Sequence, residues 1–162
     1  MARAATPAIA ALVAAGVPHD VLKYDHDPRA ESFGEEAVAE LAAKVGVAPA
    51  QILKTLVVAL PSGLGVAVLP VPAKLSLKAA AAALSVPKAV MAERAAAERS
   101  TGYVAGGISP LGQRKALPTV VDASAMQWDR VLCSAGKRGL EIALAPADLV
   151  RLANAVVGDV LA

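Results

Sequence analysis

Hydrophobic residues near the start of the chain recur at helical spacing. Ile9, Leu12 and Val13 fall on one face of a helix, and Thr6 followed by Pro7 is a typical N-cap and first-turn pair. An apolar run after a basic residue can also be a signal peptide, but the capping signals favour a helix. We therefore expect an amphipathic helix here.

Farther along, short apolar segments alternate irregularly between strand-like and helix-like spacing. Strands are predicted at residues 21–24, 51–60, 66–69, 89–91, 119–121, 131–134 and 140–144, the second and third as a hairpin. Helices are predicted at residues 35–45, 76–84, 92–99 and from Pro146, the last with Leu149, Leu152, Ala153 and Val156 on one face. Without a regular βαβ rhythm, the pattern indicates a single α+β domain with helices flanking one mixed, strongly curved sheet.

Composition narrows the classes of function. Apolar residues make up 56% of the 162 residues but aromatic residues only 2%, so the core must be aliphatic. One cysteine excludes an internal disulfide, and two histidines offer no His/Cys cluster at metal-ligand spacing. No segment reaches the ~18 continuous apolar residues that span a bilayer. We expect a cytoplasmic protein with no membrane association, no metal and no cofactor.

The charge balance limits how the chain can bind nucleic acid. The net charge is +2, far from the strongly positive charge of a protein that binds nucleic acid without a partner. Basic residues instead occur in pairs, at Arg114-Lys115 and Lys137-Arg138. This pattern indicates contact with a few phosphates rather than a broad basic face.

Residues 99–112 form a glycine-rich segment in a chain that is otherwise rich in alanine. Its glycines let backbone N–H groups approach a ligand, and the N–H groups near Gly106 and Gly107 would suit a carbonyl oxygen or a phosphate. The segment matches neither the dinucleotide-binding fingerprint nor the P-loop. A tight turn between strands is the alternative interpretation.

Lys54 interrupts an apolar strand. By the two-residue period it shares a face with Ile52, Leu56 and Val58, so its ammonium needs a partner or a lowered pKa. The alternative is a lysine whose stem lies on apolar surface while its amine reaches water. Cys133 is less promising as a nucleophile, because it lies in an apolar strand with no histidine placed to activate it.

Two motifs carry a family resemblance. Residues 100–112 read Ser-Thr-Gly-Tyr-x-x-Gly-Gly-Ile-Ser-Pro-Leu-Gly, and residues 134–141 read Ser-Ala-Gly-Lys-Arg-Gly-Leu-Glu. With these, the chain resembles the YbaK-type Cys-tRNA(Pro) deacylases, free-standing relatives of the editing domain inserted in bacterial prolyl-tRNA synthetase. Further matching pieces follow in family order at residues 6–8, 24–27, 33–34, 51–56 and 117–122. The resemblance covers nearly the whole chain, so we expect residues 1–162 to form one editing domain.

The resemblance implies a barrel-like sheet and an activity, the removal of Cys from mischarged tRNA(Pro). The substrate's own thiol would attack the ester, and Lys54 falls on the family's essential lysine. With the backbone at Gly106 and Gly107, Lys54 would position the ester and stabilise developing charge. The substrate-binding residues that the resemblance implies are Tyr24, Phe33, Thr101, Ile108, Ser109, Lys137, Arg138 and Glu141.

Individual roles follow from the same resemblance. Lys137 and Arg138 would hold the terminal phosphates of tRNA, Glu141 would orient the amino group, and Tyr24 and Phe33 would lie beside the pocket. The chain departs from the family at Glu141, where Asp is expected, and in a longer stretch between residues 33 and 54.

Two other functions stay open at this point. One is a deacylase for another aminoacyl-tRNA, with Ala or Ser as the amino acid. The other is a non-catalytic RNA- or nucleotide-binding module on the same fold. The expected partners are the acceptor end of tRNA(Pro) carrying Cys and, because the chain is only weakly basic, a complex with prolyl-tRNA synthetase.

Overall fold

The computed structural model describes residues 6–25 and 33–162, which form five α-helices and two sheets. The helices are α1 (Pro7–Ala14), α2 (Phe33–Leu41), α3 (Leu77–Ala83), α4 (Arg94–Thr101) and α5 (Pro146–Ala153). The strands are β1 (Asp20–Lys23), β2 (Leu53–Leu60), β3 (Gly63–Pro70), β4 (Val90–Met91), β5 (Thr119–Asp122), β6 (Val131–Lys137), β7 (Leu140–Leu144) and β8 (Val156–Gly158). Short 3₁₀ helices occupy Pro49–Gln51 and Ala123–Gln127. The predicted α+β class is confirmed.

The sheet prediction needs a correction. The described strands form an antiparallel sheet in the order β1-β7-β6 and a mixed sheet in the order β4-β2-β3-β5-β8, rather than one barrel-like sheet. An isolated parallel bridge between Ile52 and Leu132 joins them. β2 pairs along its whole length with β3, and β6 pairs with β7. Among the described strands the pairing between the two sheets does not continue beyond this bridge, because the chain just before it forms the 3₁₀ helix at Pro49–Gln51 instead of an extended strand.

The β2–β3 hairpin is the rigid centre of the larger sheet and confirms the predicted hairpin. Its register runs from Leu53 opposite Pro70 to Leu60 opposite Gly63. The strand begins at Leu53, later than predicted, because the preceding residues form a 3₁₀ turn that starts at Pro49. Lys54 therefore lies near the first residue of a long, fixed strand.

At both ends of the described chain, a residue predicted to lie on the apolar face of a helix lies elsewhere. Thr6 caps α1 as predicted, since its side chain accepts the N–H of Ile9, but Val13 is 62% exposed and lies off the buried face. At the other end, α5 stops at a left-handed Asn154, so Val156 is not on a helix face. It begins β8, which pairs in parallel with β5 and was not predicted.

The core is aliphatic, as the composition requires. Its main cluster lies between the two sheets and includes residues of β3, β5, β6 and β7, closed by α1 and α5. A second cluster packs α2 over the point where the sheets meet, around Leu41, Ile52 and Leu132. No described helix has the length and apolar character needed to cross a membrane. The two clusters leave an opening along β2, beside α2 and α4.

Candidate functional site

A cavity of about 400 Å³ opens along the edge of β2. The first half of β2 forms its floor, α2 and α4 lie on its sides, and the loop after α4 closes one end. Its walls are mainly apolar, and the polar or charged side chains that line it are Tyr24, Lys54, Thr55, Arg94, Ser134 and Glu141. The fold thus brings Lys54 and Glu141, far apart in the sequence, to one site.

Lys54 projects into this cavity from a strand that fixes its backbone. Its Nζ donates a hydrogen bond to the carbonyl oxygen of Ala73 at 2.6 Å. Partial burial lowers the pKa of the Lys54 ammonium, and the negative charge of Glu35 partly opposes this effect. The sequence predicted a partner or a lowered pKa, and the structure shows both.

The backbone edge of β2 also faces the cavity. The carbonyl of Ile52 bonds to the N–H of Val71 on the β3 side, so by the alternation of an antiparallel ladder Thr55 directs its backbone groups to the opposite edge. On that edge the carbonyl of Val57 already accepts the N–H of Ala92 at 3.1 Å, and β4 pairs with Val58 and Ala59. Thr55 lies before this pairing and lines the cavity. Its backbone N–H and carbonyl therefore offer a main-chain donor and acceptor that the sequence did not reveal.

Thr55 adds an unsatisfied side-chain group to the same wall. Its Oγ1 is buried and has no hydrogen-bond partner among the described residues. A buried hydroxyl without a partner is destabilising, so a group that persists in this state is a candidate for contact with a ligand. Sequence reasoning missed Thr55, although it directly follows Lys54 in a stretch that matches the family. Arg94, paired with Glu98 at 3.6 Å, was also missed, and no sequence signal pointed to it.

Glu141, on β7, also lines the cavity and is only 4% exposed. It pairs with Ser134 across the β6–β7 ladder and with Leu22 across the β1–β7 ladder. Burial raises the pKa of its carboxyl from 4.5 to about 8. At neutral pH the group therefore keeps its proton, and a positive charge placed beside it would favour its ionised form.

The loop after α4 contributes Gly106 and Ile108 to the cavity. Gly106 has a φ of 90°, a left-handed conformation that favours glycine. The N–H of Ala105 donates to Glu98 Oε2 at 2.8 Å, and the N–H of Gly107 donates to the carbonyl of Val104 at 2.9 Å. The Gly106 N–H between them has no acceptor among the described residues. The structure therefore offers one backbone donor here where the sequence suggested two.

Gly107 serves a different purpose. A Cβ at this position would come 2.9 Å from the Cα of Lys137 and 3.0 Å from the N of Arg138. Glycine is needed because the loop packs directly on the β6–β7 turn. The two motifs that carry the family resemblance are thus in backbone contact with each other.

Thr101 and Ser109 are buried outside the cavity lining, unlike Ile108. Thr101 Oγ1 donates to the Ala97 carbonyl at 2.8 Å and accepts the N–H of Tyr103 at 3.2 Å, and Ser109 Oγ accepts the N–H of Leu111 at 3.2 Å. Both hydroxyls fix the shape of the loop. The side chain of Phe33 lies outside the described residues.

Lys137 and Arg138 lie away from the main cavity. They line a second cavity of about 520 Å³, and Tyr24 lines both. Burial raises the pKa of the Tyr24 hydroxyl. The structure therefore divides the predicted site into two compartments with Tyr24 between them.

Cys133 lies fully in the core between the sheets, and burial raises the pKa of its thiol well above its ordinary value. A buried thiol in this state is not a nucleophile. Within residues 6–25 and 33–162, no group of three or more His, Cys, Asp or Glu side chains is placed to hold a metal ion.

Comparisons with known proteins give a consistent result. A family model described as an aminoacyl-tRNA editing domain matches residues 34–152. A protein of Enterococcus faecalis (strain ATCC 700802 / V583), named "Putative Cys-tRNA(Pro)/Cys-tRNA(Cys) deacylase EbsC", is 37% identical over 131 residues, which are 80% of this chain and 78% of that protein.

Solved structures show the same fold. One described as "a putative trans-editing enzyme for prolyl tRNA synthetase" superposes with a TM-score of 0.82 at 24% identity, covering 96% of this chain and 95% of that one. Another, described only as a hypothetical protein, has a TM-score of 0.81 at 25% identity and covers 97% of this chain and 100% of that one.

Proposed function

The chain belongs to the aminoacyl-tRNA editing domain family, and from this membership we propose that it deacylates mischarged Cys-tRNA(Pro) in trans. The name of the relative that is 37% identical supports this substrate. The observation that carries the proposal is the composition of the main cavity. It holds a partly desolvated cation, a backbone donor and a strand edge, while the protein's thiol is buried in the core.

Such a cavity can bind and orient an ester whose nucleophile belongs to the substrate. In the proposed reaction the sulfur of the cysteinyl group attacks its own ester carbonyl carbon, and a carbon–sulfur bond forms. The carbon–oxygen bond to the ribose then breaks, and the thiol proton ends on the ribose oxygen. The products are a cyclic thioester of cysteine and uncharged tRNA.

Lys54 would stabilise the oxygen on which negative charge develops. Its hydrogen bond to Ala73 holds the ammonium in one position, and partial desolvation strengthens its interaction with a developing charge. The N–H of Gly106 would supply a second donor. The proposal thus keeps Lys54 and Gly106 as catalytic groups and gives Gly107 a packing role.

Glu141 and Tyr24 would bind the rest of the aminoacyl end. The α-ammonium of the substrate, placed beside Glu141, would favour its carboxylate form, so binding would release a proton from Glu141 below about pH 8. Tyr24 would contact the terminal nucleotide at the border of the cavity. We further propose that the protein acts in the cytoplasm and captures tRNA in a complex with prolyl-tRNA synthetase, because a net charge of +2 provides only weak attraction for RNA.

Deacylation of matched substrates tests the proposal. Cys-tRNA(Pro), Ser-tRNA(Pro) and Ala-tRNA(Pro) are compared under single-turnover conditions, with binding measured separately. Ser-tRNA(Pro) keeps the shape of the substrate but replaces a good nucleophile with a poor one, so it should be cleaved far more slowly even when it binds comparably. Equal rates on Cys and Ser esters would point to attack by water or the protein. A folded protein that cleaves none of them would refute the editing function.

A further inference from the structure

The second cavity is a basic groove, defined here by Lys23, Lys44, Lys137 and Arg138. The three lysines come from different parts of the chain, the end of β1, the turn after α2 and the end of β6, and all are exposed. The only acidic residue among the described residues that line the groove is Asp25. The fold therefore concentrates positive charge in a chain whose net charge is only +2.

Arg138 differs from the lysines of the basic groove. Its Nη2 lies 3.5 Å from Glu36 Oε1, and the side chains of Arg138 and Glu36 are 18% and 11% exposed. A guanidinium held in this way ties α2 to the β6–β7 turn. The lysines are the cations of the groove that are exposed to solvent, so they are better placed to meet a ligand.

Tyr24 connects the basic groove to the main cavity, because it lines both. Its backbone N–H donates to the carbonyl of Gly139 at 2.9 Å, which fixes it against the β6–β7 turn. A ligand whose end occupies the main cavity can therefore pass Tyr24 and reach the lysines of the basic groove.

We propose that the basic groove binds the backbone phosphates of the 3′ acceptor strand of tRNA, with Lys23 and Lys44 as contacts in addition to Lys137. This inference rests on the proposed function, since it assumes that the aminoacylated end occupies the main cavity. Mobile lysine ammonium groups suit a flexible single-stranded backbone, whereas a fixed guanidinium fork suits one rigid geometry. The groove would supply the tRNA contact that the mainly apolar cavity lacks.

A charge-matched pair of variants tests the inference. Lys23→Ala/Lys44→Ala removes two cations of the groove, and Lys78→Ala/Lys88→Ala removes two exposed lysines that line neither cavity. Fluorescence anisotropy measures binding of an uncharged acceptor-stem RNA with its single-stranded 3′ end over a salt series. Thermal unfolding checks that both variants fold.

The groove variant should bind the RNA about tenfold more weakly at low salt. The plot of log K against log salt should become less steep by about 1.4, since each phosphate that a lysine no longer neutralises makes the negative slope shallower by roughly 0.7. The control should bind like the wild type. The groove variant should cleave 3′-cysteinyl adenosine, which has no phosphate, at the wild-type rate. Equal loss of RNA binding in both double variants, or equal loss of activity on both substrates, would overturn the inference.

RNA binding separates this inference from the proposed function, because it requires no hydrolysis. If the wild type binds the RNA through the groove lysines but cleaves no aminoacyl ester, the groove stands and the deacylase function falls. If deacylation is confirmed and the groove variant binds RNA like the control, the groove assignment alone falls.

Discussion

Replacing Glu141 with Gln should change how the stability of the protein depends on pH. Glu141 is buried and its folded-state pKa is raised from 4.5 to about 8. Between these values the folded chain keeps a proton that the unfolded chain has released, so wild-type stability must fall as pH rises. Glutamine has nearly the same shape as the protonated carboxyl and does not titrate, so the variant lacks this contribution.

The expected size follows from the two pKa values. Each pH unit between them lowers the wild-type free energy of unfolding by about 1.4 kcal/mol relative to the variant, for a total of about 5 kcal/mol. The contribution is fully present below pH 4.5 and is lost as pH rises through about 8. Near the acid end the two proteins should have similar stability, and above pH 8 the variant should be the more stable.

Denaturant unfolding at a series of pH values from 5 to 9 measures the difference in free energy between wild type and Glu141→Gln. Glu40→Gln, which removes an exposed carboxyl on α2, is the matched control for the loss of one acidic residue. A difference that stays constant across the range would refute the assignment of Glu141 as a neutral buried acid. A difference that grows with pH in the control as well would show that net charge, not burial, is responsible.

Three further substitutions test the cavity and the loop. Lys54→Met should fold normally but lose about 10²–10³-fold in deacylation kcat, the usual cost of removing one oxyanion donor. The control Lys88→Met should retain activity. A fully active Lys54→Met would show that the ammonium has no part in the mechanism. Thr55→Val removes the unpartnered buried hydroxyl, so the unfolding free energy measured with denaturant should stay equal or rise by up to about 1 kcal/mol. The deacylation kcat/KM of the variant should fall, and an unchanged kcat/KM would show that the hydroxyl does not contact substrate. Gly112→Ala should cost at least about 2 kcal/mol in unfolding free energy, because its Cβ would lie 2.5 Å from the backbone of Pro7. Gly16→Ala is the control, since Gly16 has the same φ of 66° but lies in open space, and it should cost less. Equal losses would mean that backbone strain alone, without the clash at Pro7, destabilises the variants.

Local signals in the sequence were sufficient for most elements of the fold. Caps and periodicity located α1 and α3, and the β2–β3 hairpin was evident from two apolar runs around a Pro-Ser-Gly turn. β8 was missed because it is short, its Val156 and Val157 are exposed, and its pairing partner is β5, more than thirty residues earlier. Which strands join which sheet depends on such distant pairings, and the pattern of a single segment contains no information about them.

The contrast between local patterns and distant pairings also explains which parts of the candidate site the sequence revealed. Lys54 was found because a charge inside an apolar strand is a local anomaly. The division of the site into two compartments could not be found, because it depends on Tyr24 lying between them and on the pairing of Arg138 with Glu36, residues 102 positions apart. The single free donor at Gly106 was likewise hidden, since the use of the Gly107 N–H by Val104 depends on the conformation of the loop.

The two compartments also account for the electrostatics of the proposed reaction. Desolvation in the main cavity acts in the same sense on Lys54 and Glu141, since it disfavours the charged form of each. A substrate that brings an ammonium to Glu141 and a developing oxyanion to Lys54 favours the charged form of each, so the cavity is complementary to the reacting ester rather than to water. A strong positive field inside the cavity would bind the carboxylate of any free amino acid as well as an ester. With phosphate recognition moved past Tyr24 to the exposed lysines, attraction for RNA and discrimination of the aminoacyl group can be set by different residues.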